Sequence, residues 1–444
     1  MTPRTRIRHA VRLTLALGCA SATAAADTLQ VPGQYPYIQA AIDAAADGDT
    51  ILLAAGTYKT KGLNLALDFQ GKQLTLQGAG PDESILDALE SWPSPIATLG
   101  AAEAGGVTLR GLTLKHARQD WGGALLVENG AQLLVEDCHF QGNTGKKGGG
   151  AVAVRQGSLA TFRRSVFNLN SARNGGALLV QASSVTLEHC TFTGNEAKGD
   201  FPPGQGGALS VEQAGSAIVS DSILHGDEAP LGPELHVAGA GSSVSLTWSD
   251  LAGGPGAAAL VDGGTLDWGT GNIDADPLFK QPQAGNFHPA GGSPCIDTGD
   301  PAGPPDEDGT PPDMGALPFA PWTSYGEPTL GGPGLLSLHG EGALLPGGPA
   351  AVVLQSSQPG LWFVLLVGDD PSPWSAKGNV NALMTPSLFV PGLTGSDGSA
   401  TFGTSWPTGL APGFIVYMQA WAPAAGGSVW WASSGSNALA AETR

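Results

Sequence analysis

The chain has 444 residues, with 67 Gly and 34 Pro, only 13% charged residues and a net charge of −19. This length allows two or three domains, and a hydrophobic fraction of 41% excludes a disordered chain while the glycine and proline point to a turn-rich one. The acidic balance excludes a nucleic-acid partner, because phosphates would be repelled.

Residues 1–26 read as a signal peptide. Arg4, Arg6, Arg8 and Arg12 form a basic start, an apolar core begins at Leu13–Leu17, and Ala24-Ala25-Ala26 offers a cleavage site before Asp27. The stretch is too short to span a bilayer, and no other segment reads as transmembrane. The expectation is a secreted or cell-surface protein. A lipoprotein anchored at Cys19 is the alternative, disfavoured by Ala16 in the lipobox position. Cleavage removes four Arg and no acid, taking the net charge from −19 to −23.

Tyr37 to Ala46 has the period of an amphipathic helix through Ile38, Ala41, Ile42 and Ala45, with Gly48 as its stop. Less regular strands follow at 74–77, 85–87 and 107–109. From residue 111 the chain repeats. Leu114, Phe140, Phe167, Phe192, Leu224 and Leu251 form one column, spaced by 26, 27, 25, 32 and 27 residues. Gly122, Gly149, Gly175 and Gly206 form another, each opening a Gly-Gly-Ala. A repeat of this length with strand-like alternation and Gly/Asn/Ser turns is a solenoid, read here as an all-β, right-handed parallel β-helix spanning residues 27–317. Its open first coil needs a cover, and the short helix is the expected N-terminal cap.

Aligned coils assign most residues to structure. Leu125 and Val127, Val152 and Val154, Leu178 and Val180, and Leu209 and Val211 point inward. The opposite face carries Ala, Leu and Ser, edged by Glu128, Arg155, Gln181 and Glu212. Glu136-Asp137, Arg163-Arg164, Glu188-His189 and Ser220-Asp221 point outward, so in-register stacking predicts an ion-pair ladder around the arginines. Asn143, Asn170 and Asn195 are expected to bond backbone groups at a turn. Cys138 and Cys190 share a column but lie two coils apart. Strands about 4.8 Å apart put their Cα atoms about 9.6 Å apart, beyond the ~7 Å limit of a disulfide, so free buried thiols are expected.

The opening Tyr37-Ile38-Gln39-Ala40-Ala41-Ile42, Gly48-Asp49-Thr50-Ile51 and Ala55-Gly56-Thr57-Tyr58 resembles the start of pectin-lyase-like β-helix proteins, pectinesterases among them. The Phe-x-x-Asn and Gly-Gly-Ala signatures over 111–211 resemble the repeats of polymorphic outer-membrane proteins, which are secreted adhesins. That pattern departs where Gly232-Pro233-Glu234 replaces Gly-Gly-Ala, and the adhesins' membrane barrel is not expected from these residues. Residues 272–317, with Asp276-Pro277-Leu278-Phe279, Ser293-Pro294-Cys295-Ile296-Asp297 and Asp313-Met314-Gly315-Ala316, resemble the closing segment of secreted β-helix proteins and are expected to be the C-terminal cap. Asp300, Asp306, Asp308 and Asp313 there are weak calcium candidates, without EF-hand spacing. Otherwise no cofactor or metal site is expected.

Residues 318–332 read as a linker and 333–444 as a small β-sandwich of seven short strands, the last at Val429–Ala432. Seven of the 11 Trp lie at or after residue 322, and core packing is their expected use. The end of this domain resembles C-terminal sandwich modules of secreted bacterial proteins.

The fold resemblance implies work on polysaccharides, but the matching catalytic patterns are missing. Gln119-Asp120 is a faint echo of the pectinesterase pattern, and His225-Gly226 of a polygalacturonase phrase without its Asp motifs. The loop column before each Gly-Gly-Ala is the candidate binding edge: Arg118, Asp120, Trp121, Lys146, Lys147, Arg173, Asp200 and Phe201. Basic residues there, on an otherwise acidic chain, fit an anionic glycan. The expected function is non-catalytic glycan binding or adhesion at a surface. The alternative is a polysaccharide lyase or related enzyme acting on an acidic polysaccharide.

Overall fold

The structure is a computed structural model. It describes residues 26–59, 63–89, 93, 95–199, 202–306, 308–325, 336–341, 343–345, 347–356, 361–369, 374–376, 380–382, 387–422 and 434–444. The expected signal peptide, including Cys19, and the expected strand at Val429–Ala432 lie outside these residues, apart from Ala26.

Successive coils stack in parallel and in register. One coil runs through Gln132–Glu136, His139–Gln141, Thr144–Gly148 and Val152–Arg155, and each of these strands belongs to a different sheet. In coil order we number them sheets 1 to 4. Among the described residues they contain ten, eight, four and seven strands. The register matches the sequence columns. Phe140 pairs with Phe167 and Phe167 with Phe192, their rings stacked at 4.7 and 4.5 Å. Leu125, Val152, Leu178 and Leu209 are aligned in sheet 4 and fully buried.

The corners explain the turn residues. Between sheets 1 and 2 the chain turns on one left-handed residue per coil: Asp137, Arg164, His189, Asp221 and Trp248. Between sheets 3 and 4 it turns on the double glycine. The first, as at Gly149, has φ +65°, which a side chain tolerates poorly. The second has no room: a Cβ on Gly150 would lie 1.9 Å from the Gly176 carbonyl of the next coil.

The polar ladders form as the columns require. Asn143, Asn170 and Asn195 are fully buried, and each Oδ1 of Asn170 and Asn195 accepts the backbone N–H and Nδ2–H of the preceding Asn at 2.9–3.0 Å. Arg163 lies between Glu188 (2.6 Å) and Glu136 (3.6 Å), and Arg164 bonds Asp137 (2.6 Å). Cys138, Cys190 and Cys295 are free and buried. Burial pushes the first two thiols up to about 12, which makes them inert filler.

The N-terminal cap is a helix at Ile38–Ala44, shorter at both ends than the sequence period implied, with Ile38, Ala41 and Ile42 buried over the first coil. The segment expected as a C-terminal cap lies elsewhere. Phe287 and Ala316 pack on Val166, and Cys295 and Met314 on Ile223, along the outward flank of sheet 2. It is a strap rather than an end cover. Leu260, which continues the inward column of Val237 in the last coil, is 47% exposed.

The expected linker contains a strand, Trp322–Tyr325, paired antiparallel with Ser434–Glu442. It belongs to a five-stranded sheet that faces a three-stranded one across a shared core of Leu338, Leu354, Phe363 and Ala420. Trp406 is buried and meets Trp322 edge-on at 6.5 Å, whereas Trp362 is 59% exposed and so departs from the expected core role. The sandwich grips the strap through Lys280–Glu442 (2.8 Å) and through Arg444, which pairs with Asp297 and Asp308.

Candidate functional site

The expected binding edge is not a set of loops. Arg118–Trp121, Thr144–Gly148, Ser171–Asn174 and Glu196–Ala197 form sheet 3. Sheet 3 lies over the outward side of sheet 4, so the outward Ala/Leu face is mostly covered: Ala153, Leu179 and Ser210 are fully buried. Small side chains permit this close layering. A Cβ on Gly148 would come within 2.5 Å of Leu179 and 3.1 Å of Trp121.

Sheet 3 does bring the candidate residues together. Arg118 pairs in register with Thr144, and Thr144 with Ser171; the register shifts between Gly145 and Gly148. That irregularity places Lys146 and Lys147 on the surface, with Arg173 exposed one coil later. Lys147 binds Asp120 at 2.7 Å and holds that carboxyl below the usual range. Trp121 is half-buried, its ring covered at 4.1 Å by the Arg155 guanidinium. Asp200 and Phe201 lie outside the described residues.

Beneath this edge runs a polar seam. Arg155 reaches Glu128 (3.8 Å) and Gln181 (3.0 Å), and Gln181 and Asn174 donate to Glu212 (3.1 and 2.8 Å). Ser210 lies 3.0 Å from Glu212 and 2.9 Å from His236 Nδ1. The seam ends at residues that the sequence columns had left unassigned. Asp227 follows Asn195 in the Asn ladder, and its Oδ1 accepts the Asn195 N–H (2.6 Å) and Nδ2–H (2.8 Å). Glu234 occupies the Ala208 column, and its Oε1 accepts the N–H groups of Gly226 (2.9 Å) and Asp227 (3.1 Å). Both acids are buried, at 5% and 4% exposure.

Their remaining oxygens, Asp227 Oδ2 and Glu234 Oε2, meet no donor. Burial, and for Asp227 the adjacent Glu234 charge, raises both carboxyls above their usual range. Both carboxyls therefore favour their protonated forms at this buried place. Asp227 lines a cavity of about 800 Å³ with Glu196, Lys198, Glu228 and Pro230. Two departures from the repeat, Asp for Asn and Glu for Ala, were the available signal for this place.

The candidate calcium acids do not converge. Asp313 accepts the N–H groups of Asp297 (2.7 Å) and Phe319 (2.5 Å), Asp306 accepts that of Asp313 (2.8 Å), Asp300 that of Ala302 (2.9 Å), and Asp308 binds Thr310 and Arg444. Their oxygens serve as turn acceptors, and the cation at Asp308 is a guanidinium. No group of three or more His, Cys, Asp or Glu residues suited to a metal occurs among the described residues. Likewise, no described helix is long and apolar enough to cross a membrane.

Residues 97–228 match the family described as right handed beta helix region. No curated protein matches the sequence. Among solved structures, the chain is similar to the pectin methylesterase from Aspergillus niger in deglycosylated form, at 16% identity over 57% of this chain and 84% of that one, with a TM-score of 0.27. At that score the likeness carries no argument. The fold rests on the in-register stack and the family match.

Proposed function

We propose that the chain is an exported, non-catalytic β-helix that binds an anionic glycan along sheet 3. One observation carries this reading: the register irregularity of sheet 3 presents Lys146 and Lys147 at the surface near Trp121, with Arg173 exposed one coil later, on a chain of net charge −19. Cations on a rigid strand ladder offer fixed positions to a polyanion, and a half-buried Trp offers a stacking edge. Replacing Lys146, Lys147 and Arg173 together with Ala should weaken retention on immobilised polygalacturonate or alginate by about ten- to a hundredfold, given about 0.5–1 kcal/mol per exposed charge contact. Unchanged retention sinks the reading.

A second reading, a carbohydrate-active enzyme, draws support from the Asp227–Glu234 pair beside its cavity. Carboxyls with raised proton affinity in a cleft are a recurrent mark of acid–base sites. Product formation from either polymer that disappears in Asp227→Asn, with glycan retention intact, would favour this reading over the first.

A further inference from the structure

The strap, residues 273–320, is held to the solenoid by two kinds of contact. The apolar ones are Phe287 and Ala316 on Val166, and Cys295 and Met314 on Ile223. Among the polar ones, Ala316 N–H donates to Thr191 Oγ1 (2.9 Å) and His189 Nδ1 lies 3.3 Å from the Asp313 carbonyl, and others run through the carboxyls of Asp250 and Asp221. Asp250, on the last strand of sheet 2, accepts the Ala275 N–H at Oδ1 (3.1 Å) and faces the Cys295 thiol at Oδ2 (3.7 Å). Asp221, one coil back, accepts the Asp300 N–H (2.6 Å), and its carbonyl accepts the Gly315 N–H (2.7 Å).

Burial withdraws the acids of this interface from solvent and raises their proton affinity. Burial pushes Asp250 up to about 7 and Asp313 up to about 6, and raises Asp221 and Asp306 as well. The groups facing them do not reverse the direction. Around Asp250 the carboxyls of Asp274 and Glu234 oppose ionisation, and the bonds from Ala275 and Cys295 offset burial only in part. Asp221 faces His189 and Asp300. Asp313 faces Asp306 and Asp297, while Asp306 faces His189, Arg444 and Asp297.

We propose that the strap is a proton-operated latch, docked on sheet 2 while Asp250 holds its proton and loosened when that proton leaves. An acid that binds its proton more tightly in the docked state favours docking fully below its ordinary range, near pH 4, and that advantage is lost as pH rises towards 7. Arg444, Lys280 and the packing of Phe287 and Ala316 on Val166 hold the rest of the strap throughout, so the expected motion is local to Asp250 and Cys295.

Cys295 reports the motion directly. It is fully buried on the face of the strap that meets sheet 2, whereas Cys138 and Cys190 are buried inside the solenoid. The full chain is treated with a dithiopyridine reagent between pH 5 and 8. Labelled sites are assigned by peptide mass spectrometry, and each rate is divided by that of the guanidinium-unfolded chain at the same pH. The expected result is a Cys295 rate at least about tenfold higher at pH 8 than at pH 5, with Cys138 and Cys190 protected throughout. Asp250→Asn keeps the acceptor for Ala275 and should hold the Cys295 rate at its pH 5 level. An unchanged Cys295 rate, joint labelling of all three thiols, or an Asp250→Asn profile that follows the wild type would each overturn the latch.

Discussion

Coil 195–212 and coil 227–238 occupy equivalent positions in one stack, yet their chemistry differs. In the first the columns hold Asn195, Ala208 and Ser210; in the second they hold Asp227, Glu234 and His236. The backbone is the same, because register depends on stacked amides and inward side chains. What changes is whether the buried polar groups find uncharged partners. Asn both donates and accepts, so it can repeat indefinitely along a ladder. An ionised Asp can only accept, so Asp227 ends the ladder and needs a proton from its surroundings. The regular coils are therefore built for stacking, and coil 227–238 trades part of that for a titratable site beside a cavity.

The sharpest way to break the regular coils is Gly150→Ala. Its Cβ would fall 1.9 Å from the Gly176 carbonyl and 2.5 Å from the Ser171 nitrogen, both backbone atoms with nowhere to move. A loss of about 4 kcal/mol or more in denaturant unfolding is expected. Gly157→Ala is the control: its φ is +78° but its Cβ meets nothing within 4 Å, so only about 1 kcal/mol of backbone strain is expected. Next is Asn170→Ala, which strands the buried N–H and Nδ2–H of Asn143 and the Phe140 carbonyl. About 3 kcal/mol of destabilisation should appear in the same assay.

Asp227→Asn tests the other side of the comparison, and its sign is opposite. It extends the ladder and removes a buried acid, so it should stabilise the chain by about 1–3 kcal/mol at pH 7. The wild-type carboxyl has a raised folded-state value, so its contribution is full near pH 4 and declines as pH rises. The gap between variant and wild type should thus open with pH, and a pH-independent gap would contradict a raised Asp227 carboxyl. The smallest effect belongs to the exposed ladder: Arg163→Ala should cost less than about 1 kcal/mol and less still in high salt.

Much of this was legible in the residues. Period, inward columns, free thiols, the Asn ladder and the arginine between acids all follow from stacking a repeat in register. The candidate edge was legible only in part. Lys146, Lys147 and Arg173 were visible as a column, but their irregular register and the burial of the Ala/Leu face beneath them were not. Asp227 and Glu234 were visible as departures from the repeat, although nothing local showed that they meet.

The sequence by itself determined how each coil sits on the next, since neighbouring coils repeat the same residues at a spacing the backbone sets. Only the tertiary structure decided what lies beside the stack: that sheet 3 covers sheet 4, that residues 273–320 strap the flank of sheet 2 instead of closing its end, and that Arg444 meets Asp297 and Asp308. The physical reason is that stacking contacts recur with the repeat and can be read from its period. Lateral contacts join segments as unlike and as distant as Lys280 and Glu442, and no period announces them.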